Sequence, residues 1–176
     1  MKSSFVVREL KLEDFNDLIK TYFTYYDELK DNPNLGLTLF KEKPDLKDEV
    51  SWFSSTYKAM LEGNKIVLVA EVDGKAVGMC DVTRLRPGTI VDHKGVLGIA
   101  IGRDHRAKGI GSALINETIK RSRGKFEQII LSAHSSNKVA IGLYKKFGFK
   151  EYGTLPRSIK RGKVYSDEIF MHLELK

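Results

Sequence analysis

An apolar run, Val96-Leu97-Gly98-Ile99-Ala100-Ile101, leads within a few residues to Arg106-Ala107-Lys108-Gly109-Ile110-Gly111-Ser112. The order is that of a strand, a glycine-punctuated turn and a helix. Glycine lets a backbone approach a ligand because no Cβ intervenes. The first amides of a helix lack internal partners, and the helix dipole makes that end electropositive. Such a turn is a ready seat for a pyrophosphate, and Arg106 and Lys108 bring formal positive charge to it. Two other phosphate loops fit poorly. A Walker A loop would need a glycine where Ala107 stands, and a dinucleotide fingerprint would need a small residue at Leu114. Taken alone, Gly109 and Gly111 are also what a tight helix start requires.

A second constellation follows: Asn137-Lys138-Val139-Ala140-Ile141-Gly142-Leu143-Tyr144-Lys145-Lys146-Phe147-Gly148-Phe149. Together the two are specific. Arg106-x-x-Gly109-x-Gly111 resembles the acetyl-CoA signature of the GNAT superfamily of N-acetyltransferases. Asn137 to Phe149 resembles that family's Asn-x-x-Ala-x-x-Leu-Tyr-x-x-x-Gly-Phe segment, and residues 66–175 carry the likeness. The resemblance implies an α/β fold with a mixed (α+β) sheet, mostly antiparallel, whose strands 4 and 5 are parallel and splay apart. It implies acetyl-CoA as co-substrate in that gap, with the pantetheine arm along the backbone of Ile99, Ala100 and Ile101. The pyrophosphate would then meet Arg106, Ala107, Lys108, Gly109, Ile110, Gly111 and Ser112. Asn137 matches the side chain that bonds the pantetheine arm, although a helix N-cap explains the same residue. Tyr144 matches the general acid that assists the leaving thiolate. Its spacing with Ala140, Leu143 and Phe147 is equally that of a packed helix face.

The general base is not given by this likeness. Some members carry a strand-4 glutamate at the position of Gly95, and here a glycine replaces it. Asp81, His93 and Glu168 are the remaining candidates, beside a water relay or an already neutral amine. Cys80 reads as a small buried thiol rather than an acyl-enzyme nucleophile. The tail, with Gly153-Thr154, Lys160, Gly162-Lys163, Tyr165, Asp167 and Met171, looks like that of members acting on small amines. Tyr25, Asp27 and Glu28 at the end of the first helix would suit a cationic acceptor. The expected function is N-acetylation of a small primary amine by direct attack. The alternatives are a protein N-terminal or lysine acetyltransferase, and a non-catalytic acyl-CoA-binding module.

The elements that must hold these groups follow from periodicity. Phe5 to Glu9 reads as a strand. A helix opens at Leu12, with Phe15, Leu18, Ile19, Tyr22, Phe23 and Tyr26 as its stripe, and stops at Asn32-Pro33-Asn34 and Gly36. A second helix spans 47–61, with Val50, Phe53, Tyr57 and Met60/Leu61 on its apolar face. Ile66 to Val72, Asp73-Gly74 and Ala76 to Thr83 make a hairpin. Thr89 to Ile101 reads as extended, 108–123 as a helix, 128–133 as a strand, 136–147 as a helix, and 149–159 and 164–175 as two strands. The order β-α-α-β-β-β-α-β-α-β-β fills one domain, residues 1–176.

Composition sets the outer bounds. The chain has 176 residues, 41% hydrophobic and 30% charged, with a formal net charge of +7. The basic excess suits an anionic partner, and a phosphate-rich cofactor meets that need. No aromatic-interleaved basic stripe points to nucleic acid, and no metal-ligand spacing appears. No apolar run approaches membrane-spanning length and no signal peptide is seen, so a cytoplasmic place is expected. The expected partners are acetyl-CoA or coenzyme A and a small amine, with a homodimer left open.

Overall fold

The period of the sequence changes at Lys65, and the backbone changes with it. The structure, a computed structural model, describes residues 4–32, 35–37 and 39–175. Pro33 and Asn34 of the expected helix stop lie outside these. The elements run β1 (Val6–Glu9), α1 (Phe15–Asp31), α2 (Leu46–Leu61), β2 (Lys65–Val72), β3 (Lys75–Arg84), β4 (Lys94–Ile101), α3 (Ile110–Ser122), β5 (Gln128–His134), α4 (Lys138–Lys146), β6 (Lys150–Arg161) and β7 (Val164–Glu174). Short 3-10 turns at Leu12–Asp14 and Arg103–His105 precede α1 and α3. Among the described residues they build a seven-stranded sheet in the order β1-β2-β3-β4-β5-β7-β6. Every neighbouring pair is antiparallel except β4 and β5, which are parallel.

β2 explains the layering. Its continuous apolar run buries both faces, as expected of a strand covered on each side. Leu68 and Ala70 enter a core with Leu114, Ile115, Ile129 and Met171 under α3 and α4. Val67 and Val69 enter the other, with Leu18 and Phe53 under α1 and α2. No helix among the described residues is long and apolar enough to cross a membrane.

Three expectations are corrected. Thr89 to His93 is not extended. Pro87 and Gly88 (φ 79°) start a run of turns in which the Thr89 amide donates to the Arg86 carbonyl and the Asp92 amide to that of Thr89. The inward face of α1 carries Leu18, Ile19, Tyr25 and Glu28, with Tyr26 only half-buried, its hydroxyl bonded to that of Tyr22. On α2 the buried face is Glu49, Phe53 and Thr56, while Val50 and Leu61 are exposed. In both helices a buried carboxylate, Glu28 or Glu49, occupies a place that an apolar count assigns elsewhere.

Candidate active site

β4 and β5 pair only at Lys94↔Gln128, Gly95↔Ile129 and Val96↔Ile130, and then separate. The opening is a cavity of about 290 Å³ whose walls include Ile99, Ala100, His134, Asn137, Tyr144 and Glu168. Which β4 groups face it follows from the antiparallel ladder with β3. The Leu85 amide donates to the Lys94 carbonyl and the Gly102 amide to that of Val77. Hydrogen-bonded pairs alternate along such a ladder. The amides and carbonyls of Leu97, Ile99 and Ile101 therefore point away from β3, into the gap. The Ile101 carbonyl is taken by Arg106 Nε at 2.8 Å. The backbone of Ile99 has no strand neighbour on that side among the described residues, and an extended chain can pair with it.

The turn that follows has two residues with positive φ, Ala107 at 57° and Gly109 at 86°. Gly109 is the N-cap of α3, and its carbonyl accepts from Ala113. The amides of Ile110, Gly111 and Ser112 precede the first intrahelical bond and are left for a ligand. Ala107, Lys108 and Gly109 are exposed, and a Cβ on Gly109 would meet nothing within 4 Å. Gly111 answers to a different constraint. A Cβ there would lie 3.2 Å from Ile101 Cδ1 and 3.3 Å from Leu143 Cδ2, so this glycine lets α3 approach β4 and α4. Arg106 is also placed differently from the expectation. Its guanidinium makes a two-pronged pair with Glu28, at 2.5 and 2.9 Å, and lies over the Tyr25 ring. That charge is matched within the protein, leaving Lys108 as the exposed cation of the turn.

Around the gap, side chains divide by the parity of the strands. Tyr144 is buried, against Phe149 and near Cys80, on the α3/α4 side. Burial raises its hydroxyl well above the ordinary phenol value, so it stays protonated. Cys80 is fully buried, and desolvation pushes its thiol up to about 12, which removes it as a nucleophile at neutral pH. On the opposite face stand Asp81, His134 and Glu168. His134 and Glu168 are direct partners across β5 and β7. Burial, and then Arg161, lower the His134 pKa while Glu168 pulls it up, so the imidazole is neutral at pH 7. Sequence reasoning missed His134. The only local signal was its alternation with Ile130 and Ser132 against Ile129, Leu131 and Ala133.

The other base candidates fare differently. Asp81 lines the gap, but Lys65 Nζ at 3.2 Å and Thr83 Oγ1 at 3.1 Å hold its carboxylate. Burial still pushes its pKa up. Glu168 lines the gap and accepts from Ser158 at 2.6 Å. His93 lies in the turn before β4, at the closed end of the β4–β5 pair, where its carbonyl accepts from Glu127. Gly95 cannot be exchanged for a glutamate without repacking, because its Cβ would run into Val82 Cγ1 and come into contact with the Phe126 ring. Asn137 caps α4, accepting from the Ala140 amide at 3.1 Å, and its Nδ2 donates to the Gly36 carbonyl at 3.2 Å. Arg161 donates to the carbonyls of Leu35 and Leu37, both at 3.0 Å. Residues 35–37 are thus strapped along the gap.

Beyond the gap, between α1, α2 and the sheet, lies a larger cavity of about 840 Å³. Tyr22, Tyr25, Met79 and Ala100 line both spaces, so the two adjoin. Of the helix-end residues expected to line an acceptor pocket, Tyr25 does so. Asp27 is exposed and pairs with Lys30, and Glu28 is engaged by Arg106.

This geometry has relatives. The acetyltransferase (GNAT) family model matches residues 13–149. An L-methionine sulfoximine/L-methionine sulfone acetyltransferase of Pseudomonas paraeruginosa is 28% identical over 144 residues, covering 78% of this chain and 79% of that one. An N-alpha-acetyltransferase of Sulfurisphaera tokodaii is 38% identical over 97 residues, 49% of this chain and 58% of that one. The crystal structure of a phosphinothricin acetyltransferase from Sinorhizobium meliloti in complex with acetyl-CoA superposes with a TM-score of 0.81 at 21% identity, covering 99% of this chain and 89% of that one. The splayed β4–β5 pair, the turn at Gly109 and the match over residues 13–149 agree: the chain belongs to the GNAT family of acetyltransferases.

Proposed function

We propose that the protein moves an acetyl group from acetyl-CoA to the primary amine of a small molecule, by direct attack in the gap between β4 and β5. The observation that carries this reading is the open edge of β4, which presents the Ile99 amide between Tyr144 on one side and His134 on the other. The exposed turn at 107–109 and the first amides of α3 suit a pyrophosphate, and the complex of the Sinorhizobium enzyme with acetyl-CoA supports that choice of donor. The amino-acid-like acceptor of the Pseudomonas relative supports a small amine.

When bound, acetyl-CoA supplies an activated thioester. The amine nitrogen forms the new bond to the acetyl carbon as the carbon–sulfur bond breaks, giving an amide and a thiol. The Ile99 amide donates to the carbonyl oxygen as charge develops there. His134 accepts the proton that the amine must lose, with Glu168 beside it to stabilise the imidazolium. Tyr144 gives its proton to the departing sulfur, and water returns the proton from His134 to the phenolate. Lys108 and the amides of Ile110, Gly111 and Ser112 hold the phosphates. Asn137 stays at the head of α4, beside the pantetheine arm.

A protein N-terminus as acceptor, suggested by the Sulfurisphaera relative, needs an open groove. The strap at 35–37, tied by Asn137 and Arg161, narrows that approach and favours a small acceptor. The test is release of free thiol from acetyl-CoA over a panel of amines, with the acetylated product identified by mass. Thiol release with small amines and none with peptides is expected. Turnover with peptides alone reverses the choice of acceptor, and no release with either sinks the reading.

A further inference from the structure

The larger cavity contains a group that the transfer chemistry leaves idle. Glu49 projects from the first turns of α2 and is only 5% exposed. It lines the cavity with Tyr22, Phe40, Trp52 and Met79. Among the described residues no hydrogen bond or ion pair reaches its carboxylate, and burial, aided by the Asp48 charge, pushes its pKa up. Of the two lysines that line the cavity, Lys41 and Lys43, neither pairs with Glu49 among the described residues, and Lys43 sits over the Phe23 ring at 3.9 Å. A carboxylate that faces a mostly apolar cavity without a partner is costly, and a cation beside it offsets much of that cost. Aromatic walls suit the same guest, through apolar burial of its body and attraction of its charge to the ring faces. At about 840 Å³ the space falls within the range of small-molecule sites, roughly 300–1,000 Å³.

Position decides what kind of cation. Glu49 lines the large cavity but not the gap, and the two spaces adjoin at Tyr22, Tyr25, Met79 and Ala100. A nitrogen held as an ammonium by Glu49 has no lone pair, so it cannot be the nitrogen that attacks. The acceptor therefore needs two nitrogens, one neutral at the gap and one charged at Glu49, with an apolar body between. We propose that the acceptor is such an apolar-bodied diamine, and that Glu49 is the residue that selects it. The inference rests on the acetyltransfer reading above.

The experiment compares 1,4-bis(aminomethyl)benzene with 4-methylbenzylamine, which differ only in the second amine. Native protein should favour the diamine in kcat/KM by about tenfold or more, the scale of one charge-assisted hydrogen bond. Glu49→Gln should collapse that ratio towards one, through a rise in KM for the diamine rather than a fall in kcat. Calorimetry with the diamine alone, without acetyl-CoA, should show binding to native protein that weakens in the variant. If Glu49→Gln fails to fold, the native comparison and Trp52→Ala, which removes the aromatic wall, decide in its place. Equal use of the two amines by native protein, or a preference that survives Glu49→Gln, overturns the proposal. If neither amine is acetylated, the diamine proposal falls, while the transferase reading stands or falls on the wider panel of amines and peptides above.

Discussion

Glu28 and Arg106 join the last turn of α1 to the turn before α3, and a double-mutant cycle through them weighs that strut. The perturbations are Glu28→Gln, Arg106→Gln and the pair together. Breaking a fully buried ion pair from one side costs about 3–5 kcal/mol, whereas an exposed pair is worth about 0–1 kcal/mol. Here the carboxylate is 7% exposed and the guanidinium 33%, with two contacts of 2.5 and 2.9 Å. The site lies between the two limits, so a coupling of about 2 kcal/mol is expected. For a chain of this size, each kcal/mol moves the melting temperature by about 2–4 °C. Each single variant should thus melt about 4–8 °C below native, and the double should fall well short of their sum. The assay is thermal unfolding by circular dichroism, with denaturant titration for the free energies. Acetyl-CoA affinity should fall about fivefold in Glu28→Gln, on the order of 1 kcal/mol, because the turn loses its brace. Additivity within about 0.5 kcal/mol would refute the strut. A gain in acetyl-CoA affinity in Glu28→Gln would show Arg106 acting as a phosphate charge after all.

Three further outcomes follow from the gap. Tyr144→Phe should lower kcat on the order of 10²-fold while the acetyl-CoA KM holds. Because burial raises the Tyr144 pKa, the alkaline limb up to pH 10 should match native, and normal turnover by steady-state kinetics would return Tyr144 to the core. His134→Gln should cut kcat/KM by a similar order and remove a low-pH limb that in native protein lies below about 6.5, the ordinary histidine value. Since the folded pKa is depressed, native stability is present above about pH 6.5 and is lost as pH falls through the folded value. A variant with the same limb and the same slope would clear His134 of both roles. Cys80→Ala should keep its activity, and intact mass after incubation with acetyl-CoA should show no adduct; a stoichiometric acetyl group absent from the variant would install a covalent route.

What the sequence disclosed depended on how locally each feature is written. β2 was legible because both its faces are buried and its run is unbroken. The seat at Gly109 was legible because strand, turn and helix are consecutive. Arg106 was expected as a phosphate charge, and its pairing with Glu28 could not be foreseen because that partner stands 78 residues away. His134 went unseen for the same reason, since Glu168 and Arg161 reach it only through β7 and β6. On α2, counting apolar residues put Val50 inward. The face actually follows Glu49, whose place is set by a cavity rather than by a neighbouring side chain. The closure of Gly95 by Val82 and Phe126 needed the third dimension as well.

The three rungs shared by β4 and β5 have a mechanical meaning. They are a hinge line between two half-sheets, β1 to β4 on one side and β5, β7 and β6 on the other. Where the rungs stop, the halves are free to breathe against one another, and local opening costs least where backbone bonds are fewest. Anything seated along the open edge of β4 acts as the missing rungs of a ladder and clamps the halves together. Its binding then raises the whole fold's resistance to unfolding in proportion to the logarithm of its concentration. Amide exchange along Leu97 to Ile101 and Leu131 to His134 becomes a gauge of occupancy, readable without any turnover.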